Sequence, residues 1–224
     1  MLSAFGPFVT DMYLPSLPAM ADYFSASLPM VQMGLTTSMI GLALGQIFFG
    51  PLSDKYGRRP LLLVSMLLFI VSTLFCLFAP DIYSFVTLRL IQGIAGAGGI
   101  VISRSVATDK FSGKELAKML AVIGAINGVA PVAAPVIGGL LTGSVGWQGI
   151  FMILLFIGIL LGIGCIRFKE SLPAEKRSKT GVWATFRSFG IIVHNRRYML
   201  YVFQLAFAQG ILFAYICLLY TSPS

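Results

Sequence analysis

Charge is the scarcest property of this sequence. Of its 224 residues only 11% are Asp, Glu, Lys or Arg, against 57% hydrophobic, and the mean hydropathy is +0.89. Soluble domains carry about 25% charge, so this shortage excludes an ordinary soluble globule and a disordered tail. There is one histidine. No His-Glu-x-x-His pattern, Ser/His pairing or couple of intramembrane acids is present, which leaves no support for an enzyme. The three cysteines, Cys76, Cys165 and Cys217, sit in apolar runs without Cys-x-x-Cys spacing. They read as small buried hydrophobes, with neither a disulfide framework nor a metal site. No cofactor is implied, and no filter-like Gly-Tyr-Gly loop suggests a channel. A basic n-region and a signal-peptide cleavage site are both missing at the N-terminus.

What is abundant is long uncharged sequence. Tyr23 to Ser53, Pro60 to Pro80, Met119 to Ile166 and Tyr198 to the end contain no charge. Ile82 to Val106 is interrupted only by Arg89 and Arg104, and Met1 to Ala21 only by Asp11. A bilayer span takes about 20 apolar residues, so Met119–Ile166 must fold back, and Thr142–Gly149 carries the turn chemistry. The pattern predicts helices at 1–21, 28–52, 60–80, 83–106, 116–142, 147–167 and 197–220. Continuous apolar runs exclude a β-barrel, whose strands alternate.

The basic residues set the topology. With alternating sides, 15 of the 16 Lys and Arg fall at the 2–3, 4–5 and 6–7 connections, and the sixteenth is Arg89. The positive-inside rule makes those connections cytoplasmic. The net charge of +8 is therefore topological and indicates no nucleic-acid partner. Tyr23, Tyr83 and Trp147 are expected at the outer interface, and Tyr56 and Tyr198 at the inner one. The longest connection, 168–196, reads as a solvated linker with an amphipathic stretch from Val182 to Val193. His194 beside it is expected to face lipid headgroups.

Four stretches carry candidate chemistry. After helix 2 comes Gly50-Pro51-Leu52-Ser53-Asp54-Lys55-Tyr56-Gly57-Arg58-Arg59-Pro60. Gly50 permits close backbone approach and Gly57 a turn. Asp54 can accept from a helix N-terminus or from neighbouring arginines. Read without a family, this is a basic turn or a functional element. Helix 4 has Arg89-x-x-Gln92-Gly93. A cation in the membrane costs about 2.5–3.5 kcal/mol on insertion scales, so Arg89 either faces the bundle interior or snorkels to the interface. Gly93, Gly96, Gly98 and Gly99 make a flat packing face. Helix 5 contains Ala130-Pro131 and Ala134-Pro135-Val136-Ile137-Gly138-Gly139, where each proline removes a helical hydrogen bond and should bend the helix. Helix 1 holds Thr10-Asp11-Met12-Tyr13-Leu14-Pro15-Ser16-Leu17-Pro18. Asp11 is the only acid inside an expected span. Low dielectric favours a neutral carboxyl and a nearby guanidinium favours the anion, an opposition that suits a proton carrier. The alternative is a structural acid at a helix end.

The Gly50–Arg59 string resembles the major facilitator signature G-x-L-[SA]-D-[KR]-x-G-[RK]-[RK] at every position. The helix-4 string resembles the R-x-x-Q-G motif of that superfamily's proton-coupled transporters. The helix-5 run is similar to the antiporter motif G-x3-G-P-x-x-G-G, with Ala130 and Ala134 in place of glycines, so the direction of transport stays open. The TDMYLPSLP string with Gly45-Gln46 resembles the bicyclomycin/chloramphenicol-resistance (Bcr/CflA) drug-efflux branch over residues 1 to about 215.

This resemblance implies an all-α integral membrane fold, the six-helix N-terminal half of a twelve-helix transporter plus a partial seventh helix. The expected organisation is a bundle over 1–167, a cytoplasmic inter-half loop over 168–196, and a partial helix with an atypical tail over 197–224. Helix 1 looks shortened against the branch, and the chain reads as a fragment. The implied function is proton-coupled export of drug-like small molecules across the bacterial inner membrane, as a monomer, with protons and the lipid bilayer as the other partners. Metabolite or sugar uptake, and an inactive fragment, are the alternatives. The implied roles are proton coupling and substrate cavity for Asp11, Arg89 and Gln92, a conformational latch for Gly50, Asp54, Gly57, Arg58 and Arg59, and a hinge for Pro131, Pro135, Gly138 and Gly139.

Overall fold

The fold follows from where proline and glycine interrupt otherwise uniform apolar helix. In the computed structural model, which describes residues 2–177 and 193–221, every regular element among the described residues is helical. The first apolar run is not one helix over 1–21. Helix α1 covers Leu2–Asp11, a 3-10 turn covers Leu14–Ser16, and α2 covers Leu17–Tyr23. A proline ring clashes with the carbonyl four residues back. Pro15 therefore stops α1 at Asp11, and Pro18 separates the turn from α2.

Helices α3 (Leu28–Tyr56) and α4 (Arg58–Leu77) follow, separated by Gly57 alone, whose φ of +104° suits glycine. The expected 2–3 loop is thus helical almost throughout. Helix α5 (Ile82–Lys110) starts at Asp81, whose carboxylate accepts from the Ser84 backbone N–H at 2.8 Å and from its hydroxyl at 3.0 Å. Those donors hold the Asp81 carboxyl below its ordinary pKa.

Helix α6 runs over Gly113–Ile166. At 1.5 Å per residue it would be about 80 Å long if straight, against a hydrocarbon core of about 30 Å. It divides at Gly146 (φ 67°, ψ −175°), within the turn expected at Thr142–Gly149. Elsewhere in this run, including Pro131 and Pro135, the backbone keeps helical dihedrals. A short 3-10 turn at Ala174–Lys176 closes the segment.

Helix α5 is the centre, packed against α1, α3, α4 and α6. It approaches α3 backbone to backbone. A methyl group on Gly93 would overlap the carbonyl of Ser38, and one on Gly41 would overlap that of Leu90. A second close approach sets α6 on the broken first helix, where a methyl on Gly138 would overlap the Met12 carbonyl. Phe49, Leu62, Met66, Ala97, Ile102 and Cys165 form a core toward the basic end. At the other end Trp147 is buried within the bundle beside Tyr23, one of the other residues expected at the outer interface. It is 3% exposed and packs its ring on Tyr23, Phe24, Phe85 and Phe151, while Tyr23 and Tyr83 remain exposed.

Two compact units are present, Met1–Arg177 and Ser178–Ser224. The first takes in the bundle expected over 1–167 together with ten further residues. Within the second, α7 spans Arg196–Thr221. Most of the amphipathic stretch expected at Val182–Val193, and the last three residues of the tail, lie outside the described residues. His194 is exposed.

Candidate functional site

Two clusters gather most of the sequence-derived candidates. The first is built on the break in the first helix. Arg89 is fully buried, so it does not snorkel. It reaches across to α1 and α3, donating to the backbone oxygens of Val9 at 3.1 Å and Gly34 at 3.4 Å. It also donates to Gln92 Oε1, one helical turn on. Gln92 in turn donates to Thr73 Oγ1 at 2.7 Å, and Thr73 donates to the Phe69 carbonyl at 2.7 Å. The guanidinium carbon lies 4.4 Å from the Tyr13 ring centre and 5.8 Å from that of Phe151, in cation–π range.

Asp11 is also fully buried, at the last residue of α1. It is thus both a helix-end acid and an interior one. Neither of its oxygens has a hydrogen-bond partner, and no ion pair joins it to Arg89 among the described residues. The Tyr13 hydroxyl and Arg89 Nη2 are likewise buried and unpartnered. Buried polar groups without partners are rare and costly, and here three side chains carry them within one neighbourhood.

Two of the helix-5 candidates, Gly138 and Gly139, line the same break. Pro131, Pro135 and Gly138 are buried, and Gly139 is exposed. Gly138 abuts Met12, the Gly139 position faces Pro15, and Ser16 Oγ lies 2.9 Å from Thr142 Oγ1. The two glycines therefore bear directly on the segment carrying Asp11.

The second cluster is the α3–α4 junction. Arg58, nearly buried, bonds Asp54 at 2.6 Å, Ser53 Oγ at 2.6 Å and Asp109 at 3.0 Å. The α4 N-terminus is capped by Glu170, not by Asp54. The Glu170 carboxylate accepts from the backbone N–H groups of Arg58 at 3.0 Å and Arg59 at 3.1 Å. It also takes the N–H groups of Ser171 and Leu172 and pairs with Arg177 at 3.8 Å. Partial burial opposes ionisation of Glu170, but these N–H donors outweigh it and hold its pKa below the ordinary value. Arg59 donates to the Ile166 carbonyl at 2.9 Å. Nothing approaches the Gly50 position within 4 Å, so the close contact expected there is absent in this unit. Among the described residues the space beside Gly50 is open.

Sequence reading missed Tyr13, Phe151, Thr73, Asp109 and Glu170. Asp109 and Glu170 had a signal, as isolated acids in the basic connections. The aromatic rings and Thr73 had none, being ordinary members of apolar spans.

The sequence and the fold have known counterparts. The Major Facilitator Superfamily profile matches residues 1–223. The chain belongs to the major facilitator superfamily. Among its relatives is an uncharacterized MFS-type transporter, YdgK, of Bacillus subtilis, 41% identical over 96% of this chain and 54% of that protein. A bicyclomycin resistance protein homolog of Haemophilus influenzae is 32% identical over the same shares, 96% and 54%. Multidrug resistance protein MdtL of Salmonella heidelberg is 30% identical over 74% of this chain and 42% of that protein. The chain thus spans about half the length of the curated relatives it matches. The human organic anion transporter MFSD10 shares the fold, with a TM-score of 0.60 at 20% identity over 80% of this chain and 48% of that one. The major facilitator chain is accordingly a multi-pass membrane protein, and among the described residues four helices are long and apolar enough to span a bilayer, α6 being the one that folds back.

Proposed function

We propose that this chain supplies one half of a proton-coupled antiporter that exports drug-like small molecules across a bacterial inner membrane. The observation that carries the reading is the Asp11–Tyr13–Arg89 cluster. It places a carboxyl without hydrogen bonds, a phenol without a partner and a half-satisfied guanidinium at a helix break. A buried carboxyl with no fixed donors can gain and lose a proton with little rearrangement of neighbours. Arg89 is held by the carbonyls of Val9 and Gly34, so it remains a fixed positive field whichever state Asp11 is in. Proton binding at Asp11 then alternates with substrate binding, and the halves rock around a midplane site.

The names of the Haemophilus and Salmonella relatives, a bicyclomycin resistance protein homolog and a multidrug resistance protein, support drug-like molecules as the substrate class. Ala130 and Ala134, buried where the antiporter motif has glycines, favour the second reading, uptake of a small metabolite. The direction of proton movement relative to substrate separates the two. The protein acts as a monomer, with the α3–α4, α5–α6 and 6–7 connections cytoplasmic.

The test is drug-induced proton release from the full-length protein, titrated against pH. Asp11→Asn is expected to abolish it while sparing some downhill exchange of neutral drugs. Release equal to wild type assigns the proton carrier to another residue and overturns this role for Asp11.

A further inference from the structure

We propose that the basic end of the bundle holds one anionic phospholipid, its acyl chain in a cavity between α4, α5 and the second arm of α6, and its phosphate against Lys110, Arg167 and Lys169. The cavity measures about 350 Å³ and is lined by Leu62, Ile102, Val106, Leu161, Cys165 and Phe168 among others. Its one side-chain hydroxyl, on Ser103, is already spent on the Ile100 carbonyl at 2.9 Å. A site for a drug-like ligand usually offers a few directed polar groups. This one offers hydrocarbon, which suits a saturated chain.

The rim supplies the complementary charge. Lys110 Nζ sits 5.5 Å from the Phe168 ring centre, so a cation rests on the cavity wall. Arg167 and Lys169 flank Phe168 in sequence and are exposed. Among the described residues none of these three cations has an ion-pair partner. The neighbouring acids are engaged elsewhere, Asp54 and Asp109 with Arg58, and Glu170 with backbone N–H groups and Arg177. Leu160, Ile163 and Ile166 leave exposed apolar surface beside the mouth. Unpaired cations above an apolar slot fit an anionic head on a hydrocarbon tail. Anionic lipid is concentrated in the cytoplasmic leaflet, so the inference rests on the proposed cytoplasmic placement of this end and is independent of proton coupling.

Cys165, in the cavity wall, is a free thiol and a built-in reporter. The full-length protein is placed in nanodiscs of phosphatidylcholine alone or of equimolar phosphatidylcholine and phosphatidylglycerol. Alkylation of Cys165 by a membrane-permeant maleimide is then followed by mass spectrometry. Phosphatidylglycerol should slow it, by about fivefold for each cation engaged. A Lys110→Gln/Arg167→Gln/Lys169→Gln variant, changed only at exposed positions, should lose that difference. Equal rates in the two lipids, or a difference that survives in the variant, overturns the proposal. So does protection by a transported drug in phosphatidylcholine alone, which would make the cavity a substrate site. If Cys165 is inert in both lipids, phosphatidylglycerol retained through delipidation decides, and wild type retaining no more than the variant overturns it. None of these readouts depends on transport, so a failed proton-coupling test leaves them interpretable.

Discussion

Tyr13 separates structural from functional accounts of the buried cluster. Its ring packs on Arg89, and among the described residues its hydroxyl has no hydrogen-bond partner. An unsatisfied buried polar group costs about 1–3 kcal/mol. If the hydroxyl does nothing, Tyr13→Phe keeps the ring contact and leaves thermal stability unchanged or raised, with transport intact. If it binds substrate or the proton path, transport falls while the thermal midpoint does not, and that second result is expected. Asp11 and Arg89 were legible because charge is so rare in these spans, and Gln92 through the resemblance carried by Arg89-x-x-Gln92-Gly93. Their joining to Tyr13 and Thr73 was not, since a hydroxyl inside an apolar run gives no sign of which way it faces. Glu170 makes a second case at this scale. Its pKa is lowered in the folded protein, so its contribution is present above the unfolded value of about 4.3 and fades as pH falls through the folded one. Glu170→Ala removes the acceptor for the α4 N-terminus, a loss of about 0.5–2 kcal/mol for a capping group. Thermal unfolding of the two proteins across pH should show this gap near neutrality and its closure in acid.

Among the elements, the break after Asp11 decides most. A single apolar run with one acid reads as one helix over 1–21, and hydropathy alone cannot divide it. The signal was Pro15 followed by Pro18, which together cannot continue a helix begun upstream. The Gly146 break was readable because 48 uncharged residues from Met119 to Ile166 exceed any single crossing. Hinge roles for Pro131 and Pro135 rest on composition, and both sit within helical backbone. The adjoining glycines give a sharper expectation. A methyl at Gly138 would meet the Met12 carbonyl, which is backbone and cannot swing aside, whereas at Gly139 the nearest atom is 3.9 Å away. Gly138→Ala should therefore destabilise by about 1–3 kcal/mol, the usual range for overpacking, and displace the segment that carries Asp11. Gly139→Ala should be close to neutral. Thermal midpoints of the two variants side by side check the packing, and transport by each shows whether the displacement reaches the site.

For the whole molecule, the question is whether the Arg58 cluster only fastens this bundle or also governs its rocking. Arg58 already has three side-chain partners in the unit, Ser53, Asp54 and Asp109. Asp109, with a side chain 15% exposed, is the partner whose loss should loosen the fold. Asp54, with a side chain 49% exposed, adds little static stability, since exposed pairs are worth about 0–1 kcal/mol. It stands one turn from Gly50, beside which the described residues leave open space. We propose that this half-exposed acid, beside the open space at Gly50, meets a further surface in one conformation and releases it in another. Asp54→Asn should therefore cripple turnover in the full-length protein while leaving equilibrium drug binding within a few fold and the thermal midpoint nearly unchanged. Asp109→Asn should lower the midpoint first. The same comparison needs the membrane orientation, which external labelling of Ser144→Cys and of Ser112→Cys supplies. Ser144→Cys should react from outside intact cells and Ser112→Cys only after permeabilisation. With that orientation in hand, drug binding lost in step with transport in Asp54→Asn would remove the latch role. Asp54 would then be assigned to the binding site itself.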